Sequence, residues 1–117
     1  MNNDNILQSI KKLIGIYEDD TSFDQDLIIH INTIFSILKR LGVGPTEGYK
    51  LKTGTEEWSE FTKDDNNLEA VKSYIYVKVK LVFDPPSNSM ATESLKNMAQ
   101  ELEWSLNVMA ESEVYNE

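Results

Sequence analysis

The chain has 117 residues, the length of one ordinary domain, with a formal net charge of −9 and no cysteine. The lack of thiols excludes disulfides and cysteine-ligated metal sites, and the acidity argues against the basic surface that nucleic-acid binders need. No apolar stretch is long enough to cross a bilayer, and the polar start, Met1 to Asp4, does not look like a signal peptide. We therefore expect a soluble protein made in the cytoplasm.

The first predicted element is a helix from about Asn5 to Ile14, because apolar residues recur there at helical spacing. Either Asp4 or Asn3 is expected to cap its first turn. Lys11 and Lys12 are expected on the solvent side, near the helix C-terminus, where positive charge is favourable.

A polar, acidic loop over 17–22 precedes the second and strongest predicted helix, for which Thr21 or Ser22 is the expected cap. Lys39 and Arg40 suit its last turn, and Gly42 is the expected C-terminal stop. Its apolar stripe consists of Leu27, Ile31, Ile34, Phe35, Leu38 and Leu41.

Glycines and a proline break the pattern from Val43 to Thr55, where Tyr49 to Lys52 alternates as in a short strand or an extended arm. Thr53 and Glu56 have the spacing of a capping box, which predicts a short helix over 56–61. Trp58 and Phe61 are expected to anchor this helix to the core.

The segment from Leu68 to Phe83 fits two structures. Its β-branched and aromatic residues alternate as in a strand. A helix with Asn67 as cap also fits, with an apolar stripe of Leu68, Val71, Ile75, Val79 and Val82. Since the segment is longer than most strands and lacks an obvious partner strand, we favour a helix. Asp84-Pro85-Pro86 should end it, because a proline disfavours helical structure in the residue before it.

A last helix is predicted after Ser87 to Ser89. Its predicted apolar face consists of Leu95, Met98, Ala99, Leu102, Leu106 and Met109. The residues expected at solvent positions are Glu93, Lys96, Glu101 and Glu103. Residues 111–117 are acidic and are expected to form a flexible tail beyond a helical domain over 1–110. The fold class that follows is mainly α, a small bundle of four to five helices with one irregular arm or short extended segment.

No group of residues predicts catalysis. His30 is the only histidine and there is no cysteine, so a metal site would lack a second such ligand. A role of His30 as a catalytic base has no support from a partner residue either. The acidic pairs at 19–20 and 64–65 lack the alternating oxygen ligands and central glycine of a calcium loop. We therefore expect a protein that is not an enzyme and that needs neither a metal nor another cofactor.

Several stretches have the order and spacing seen in small prophage proteins of Gram-positive hosts. The most specific is Val71 to Pro86; the others are Ile6 to Ile16, Asp19 to Asp24, His30 to Asn32, Leu41 to Pro45 with Trp58 and Phe61, and Glu101 to Val108. Over nearly its whole length, the chain resembles the head–tail connector (adaptor) family of tailed phages.

This resemblance implies a ring of subunits, commonly twelvefold, in the neck of the virion. Its expected partners are further copies of the chain, the portal protein, and a stopper or tail-completion protein, while DNA passes through the channel without sequence-specific binding. The segment 43–55 is expected to reach a neighbour, and the acidic tail to become ordered on docking. The residues expected to contact partners are Tyr49, Leu51, Trp104, Val108, Val114 and Tyr115.

Two other classes remain open. A small phage regulatory or anti-host protein that binds a single protein target would share the acidity, but it would have no affinity for the portal. A DNA-handling accessory would need a basic face, whereas the positive residues here are scattered along the chain.

Overall fold

A computed structural model of the chain describes residues 4–62 and 65–115, and the side chains of residues 4–62 and 67–111. These residues form five helices and no strand: α1 (Ile6–Leu13), α2 (Asp24–Arg40), α3 (Trp58–Phe61), α4 (Asp65–Phe83) and α5 (Ser89–Tyr115). The predicted fold class, a mainly α bundle, is confirmed. α4 lies at the centre of the bundle, because it packs against α5, α2 and α1.

The cap of α1 lies one residue later than predicted. The side-chain oxygen of Asn5 accepts a hydrogen bond from the backbone N–H of Gln8 at 2.8 Å. The predicted cap Asp4 instead accepts a hydrogen bond from the Ser59 hydroxyl at 2.8 Å. The other predicted cap, Asn3, lies outside the described residues. Asp4 therefore ties α1 to α3 and leaves the cap position to Asn5.

Lys11 is buried, so its prediction as a solvent-facing residue is wrong. Its side chain is 0 % exposed, and its ammonium group donates to the carbonyl oxygens of Glu18 at 3.1 Å and Asp20 at 2.7 Å. The same nitrogen forms an ion pair with a carboxylate oxygen of Asp24 at 2.9 Å. The loop after α1 folds over this lysine and supplies the acceptors that make its burial possible. Lys12 is exposed, as predicted.

α2 has the predicted buried stripe. Its buried residues are Leu27, Ile31, Ile34, Phe35 and Leu38. The predicted caps Thr21 and Ser22 are wrong, because the N-cap position is occupied by Phe23, which makes no side-chain cap bond. Asp24 in the first turn is held by Lys11, so an ion pair joins α1 to the start of α2.

α3 starts two residues later than predicted, at Trp58. The backbone N–H of Glu57 donates to the Glu60 carboxylate at 2.7 Å, so the capping box involves this pair instead of Thr53 and Glu56. The Glu56 carboxylate accepts backbone hydrogen bonds from residues 52–54. Burial by itself would raise the pKa of Glu56. The backbone hydrogen bonds from residues 52–54 and from its own amide outweigh this effect and lower the pKa. Glu56 therefore stabilises the turn before the helix.

α4 is a helix, so the favoured structure is confirmed and the strand alternative is wrong. It begins at Asp65, before the predicted cap Asn67, and it ends at Phe83, just before the two prolines. Several of its β-branched and aromatic residues are buried, because neighbouring helices cover α4 on more than one side. These residues are Val71, Tyr74, Ile75, Val77 and Val79. Val82, predicted on the buried stripe, is 56 % exposed.

α5 follows the five-residue connection 84–88 and packs along α4. The hydroxyl of Tyr74 donates to the carboxylate of Glu103 at 2.9 Å, so Glu103 is not the solvent residue that was predicted. Asn107 donates to the backbone carbonyl oxygen of Leu41 at 3.2 Å and so ties α5 to the end of α2. The helix backbone continues to Tyr115, beyond the predicted start of the tail. The division of the chain at residue 110 stays a prediction.

Candidate interaction surfaces

The side of α5 that faces away from the core carries exposed apolar residues. Met90 is 77 % exposed, Trp104 70 % and Val108 37 %. Nearly four helical turns separate Met90 from Trp104, and about one turn separates Trp104 from Val108. These three side chains therefore share one face. The buried residues of the helix, Ala99 and Leu106, lie on the opposite face. We call Met90, Trp104 and Val108, together with the flanking Met98, the α5 outer face.

A second apolar surface lies between α1 and α4. It is a groove of about 1000 Å³, lined among others by Gln8, Leu13, Ile16, Tyr17, Lys72 and Tyr76. Leu13 is 52 % exposed and Tyr17 81 % exposed, although both are large apolar side chains. We call this surface the α1–α4 groove. An open apolar groove on a small protein is typical of a site for another molecule.

The buried Lys11 shapes one wall of this groove. Its hydrogen bonds to the carbonyl oxygens of Glu18 and Asp20 hold the loop that carries Tyr17. The ion pair between Lys11 and Asp24 joins α1 to the start of α2, at the other end of the same loop. Because a buried ammonium group needs its acceptors, the loop and the lysine hold each other in place.

One polar atom in the groove has no partner within the described chain. The side-chain oxygen Oε1 of Gln8 is buried and accepts no hydrogen bond. A buried acceptor without a donor costs free energy, so a donor entering the groove would be favourable there.

The charges of the two surfaces differ. Five glutamates and one lysine lie between Ser89 and Tyr115, and among them Glu101 is exposed one turn before Trp104. The groove contains two cations, Lys12 and Lys72, besides Glu18 and Glu69. The ammonium group of Lys72 lies 5.5 Å from the centroid of the Trp58 ring, on which it is positioned.

The residues predicted to contact partners fall into three groups. Trp104 and Val108 lie together on the α5 outer face. Val114 and Tyr115 belong to the last turn of α5, and their side chains lie outside the described residues. Tyr49 and Leu51 pack within the core of the chain instead of on a projecting arm.

The packing of the segment 43–55 explains this difference. Leu51 is 2 % exposed, and its backbone N–H and C=O are both bound by the side-chain amide of Asn32, at 2.6 and 2.9 Å. The ring of Tyr49 packs edge-on against Phe35 and Phe61, with centroid distances of 5.3 and 5.7 Å. The expected arm is therefore folded onto the bundle. A role of Tyr49 and Leu51 in binding a partner stays a prediction, whereas their contribution to the core is observed.

Four exposed residues of these surfaces were not predicted from the sequence. Leu13 is one of the apolar residues that recur at helical spacing in the first predicted helix, and Met98 was predicted on the apolar face of the last one. Tyr17 was placed in a polar loop, and Met90 was not assigned to a face. The only available signal was a large apolar or aromatic residue among polar neighbours, as at Tyr17. Such a signal does not distinguish a free surface from one that another element covers.

The single histidine has a structural environment. His30 is half-buried, and its ring meets the ring of Phe83 edge-on, with the centroids 5.2 Å apart. Among the described side chains, no three His, Asp or Glu residues come together as a metal site would require. No helix of the described part is both long and apolar enough to span a bilayer.

Comparison with known proteins identifies one family. A family model described as phage connector protein matches residues 6–113, which includes all of α1 to α4 and nearly all of α5. No curated protein and no solved structure matches the chain.

Proposed function

The chain belongs to the phage connector protein family, and from this membership we propose that it forms a ring that joins the portal to the stopper or tail. Its place is the neck of the virion, where the ring, twelvefold in our expectation, extends the channel through which DNA passes. The role is structural and not catalytic.

The observation that carries this proposal is the pair of exposed apolar surfaces on one small chain. A ring is built from heterologous contacts, in which one surface of each subunit meets a different surface of the next. Such a subunit must therefore expose two unlike patches when it is alone. The α5 outer face and the α1–α4 groove have this property, since one is a helix face and the other a concave surface.

The net charge of −9 supports passage of DNA without binding. Carboxylates repel the phosphate backbone, so an acidic channel wall would not hold the DNA that moves along it. The proposed contact of the ring with DNA is therefore electrostatic repulsion without base recognition.

The test is sedimentation velocity of the purified chain, alone and mixed with its cognate portal protein. We expect either a closed oligomer of the free chain or a monomer that joins the portal in a defined multiple. An unrelated acidic protein of similar size, mixed with the same portal, is the control for non-specific association.

A chain that remains monomeric and ignores the portal at every salt concentration would contradict the proposal. That result would favour the alternative in which a small phage protein binds a single protein target.

A further inference from the structure

We propose that the α5 outer face of one copy docks into the α1–α4 groove of the next copy, with Trp104 as the anchoring residue. This inference rests on the ring assembly proposed above and names the two surfaces that meet. The occupant of the groove is thus a second copy of this chain.

The arrangement of the helices makes the two surfaces available to two different neighbours. α1 and α5 both pack against α4, and in the described chain neither has its main contacts with the other. One copy can therefore present its α5 outer face to one neighbour while its groove accepts a second neighbour. This is the head-to-tail geometry that closes into a ring if the rotation between copies is suitable.

The shapes of the two surfaces match in kind. The exposed part of α5 is a convex row of apolar side chains, of which Trp104 is the largest and is 70 % exposed. The groove is concave, and its volume of about 1000 Å³ is sufficient for a tryptophan ring and its neighbours. Tryptophan is the residue type most often found as an energetic anchor of interfaces, because its ring removes a large apolar area from water.

The polar groups also match. The indole N–H of Trp104 is a donor on an exposed side chain, and Gln8 Oε1 is an acceptor without a partner. A rotation of the Gln8 amide would bring this acceptor to a ring seated in the groove. On the same face of α5 lies the exposed Glu101, and the groove carries Lys12 and Lys72 as well as Glu18 and Glu69. The docked orientation we propose places the Glu101 carboxylate beside the two ammonium groups.

Two variants separate the surfaces. Trp104→Ala removes the anchor, and the double variant Leu13→Gln/Tyr17→Ser makes the groove polar; all three side chains are more than half exposed, so we expect folding to be retained. Ile29→Gln is the matched control, since Ile29 is 63 % exposed on α2 and lies in neither surface. Circular dichroism and thermal unfolding of each variant verify the fold.

Association is measured by sedimentation velocity over a range of concentrations, and as cooperative addition to the cognate portal. We expect each interface variant to weaken association between copies by about 30-fold or more, the size of an interface hot spot. Trp104→Phe, which keeps a ring but loses the donor, should weaken it by up to about tenfold. Ile29→Gln should associate as the unmodified chain does.

Mixing the two interface variants tests the head-to-tail arrangement directly. The Trp104→Ala chain keeps an intact groove, and the groove variant keeps an intact α5, so an equimolar mixture should form one-to-one pairs that do not grow. Neither variant alone should form such pairs. A symmetric contact between two α5 helices, or between two grooves, would leave one of the variants unaffected.

The outcomes distinguish this inference from the proposed function. If the unmodified chain assembles and either variant assembles equally well, or if the mixture fails to pair, the docking inference is overturned while the connector role stands. If the unmodified chain neither self-associates nor joins the portal, the proposed function fails and the inference fails with it.

Discussion

The ammonium group of Lys11 is buried away from water, and its three polar contacts compensate for the lost hydration. The two carbonyl oxygens and the Asp24 carboxylate replace the water that the ammonium group would otherwise bind. The two carbonyl groups belong to the loop after α1, and Asp24 is the first residue of α2. The residue is therefore a support for the loop that carries Tyr17, and through it for the α1–α4 groove.

Replacing this lysine should be costly. We expect Lys11→Ala to lower the free energy of unfolding by about 2–4 kcal/mol, because Asp24 and two carbonyl groups lose their donor. Urea unfolding measures this change. Lys12→Ala, which removes an exposed lysine from the next position, is the matched control and should stay within about 0.5 kcal/mol of the unmodified chain. Equal effects of the two substitutions would show that the buried contacts do not contribute to stability.

Tyr49 should make the stability of the chain depend on alkaline pH. Burial, with the nearby charges of Glu60 and Glu56, raises the pKa of Tyr49 to about 12 from its ordinary value of 10. Because the pKa in the folded chain is the higher one, this contribution to stability is complete below about pH 10 and is lost as the pH rises toward 12.

The measurement is the free energy of unfolding from pH 9 to 12 for the unmodified chain and Tyr49→Phe. We expect a shallower loss of stability in the variant, although Tyr74, whose pKa burial also raises, will continue to contribute. Tyr17→Phe, at an 81 % exposed position, should follow the unmodified chain. The same alkaline slope in Tyr49→Phe would contradict this assignment.

At the scale of elements, side-chain hydrogen bonds to backbone atoms hold the parts that are not helical. Asn32 of α2 binds the backbone of Leu51, and Asn5 of α1 donates to the carbonyl oxygen of Gly54 at 3.0 Å. Gly44 lies against Phe61 with a φ of 91°, and a Cβ there would meet the ring at 2.6 Å. The irregular segment thus has defined contacts with three helices.

The contact between Asn32 and Leu51 can be tested alone. We expect Asn32→Ala to destabilise the chain by about 1–3 kcal/mol, because both backbone groups of a buried residue lose their partner. Thr33→Ala is the control on the same helix, since Thr33 is exposed and bonds only within its own helix in the described structure. Thermal unfolding of the two variants measures the difference. An unchanged midpoint for Asn32→Ala would mean that the segment is held by its apolar contacts alone.

At the scale of the whole molecule, the chain is slightly less compact than a typical domain with the same number of residues. Its radius of gyration is 14.3 Å, against about 13.4 Å for a typical domain of this length. The larger radius of gyration is explained by α5, because this helix of 27 residues packs on the 19-residue α4 and extends beyond it. A chain with this shape exposes the long outer face of one helix.

The helices themselves were predictable because their signals are local. The stripe from Leu27 to Leu38 and the prolines after Phe83 act through the period of the helix and through steric restriction, and both depend only on neighbouring residues. The length of 68–83 likewise decided between helix and strand without knowledge of the fold. Order and spacing along the chain also pointed to the connector family, which the family comparison confirmed.

Only the tertiary structure decided where charged and apolar side chains lie relative to the surface. Lys11 is buried because the loop that follows α1 folds back and binds it. Leu51 is buried where the side-chain amide of Asn32 on α2 binds its backbone. Leu13 and Trp104 are exposed because no other part of the described chain covers them. Periodicity specifies which residues share a face, but burial of that face depends on what packs against it. The element that packs against a face is determined by contacts between residues far apart in the sequence.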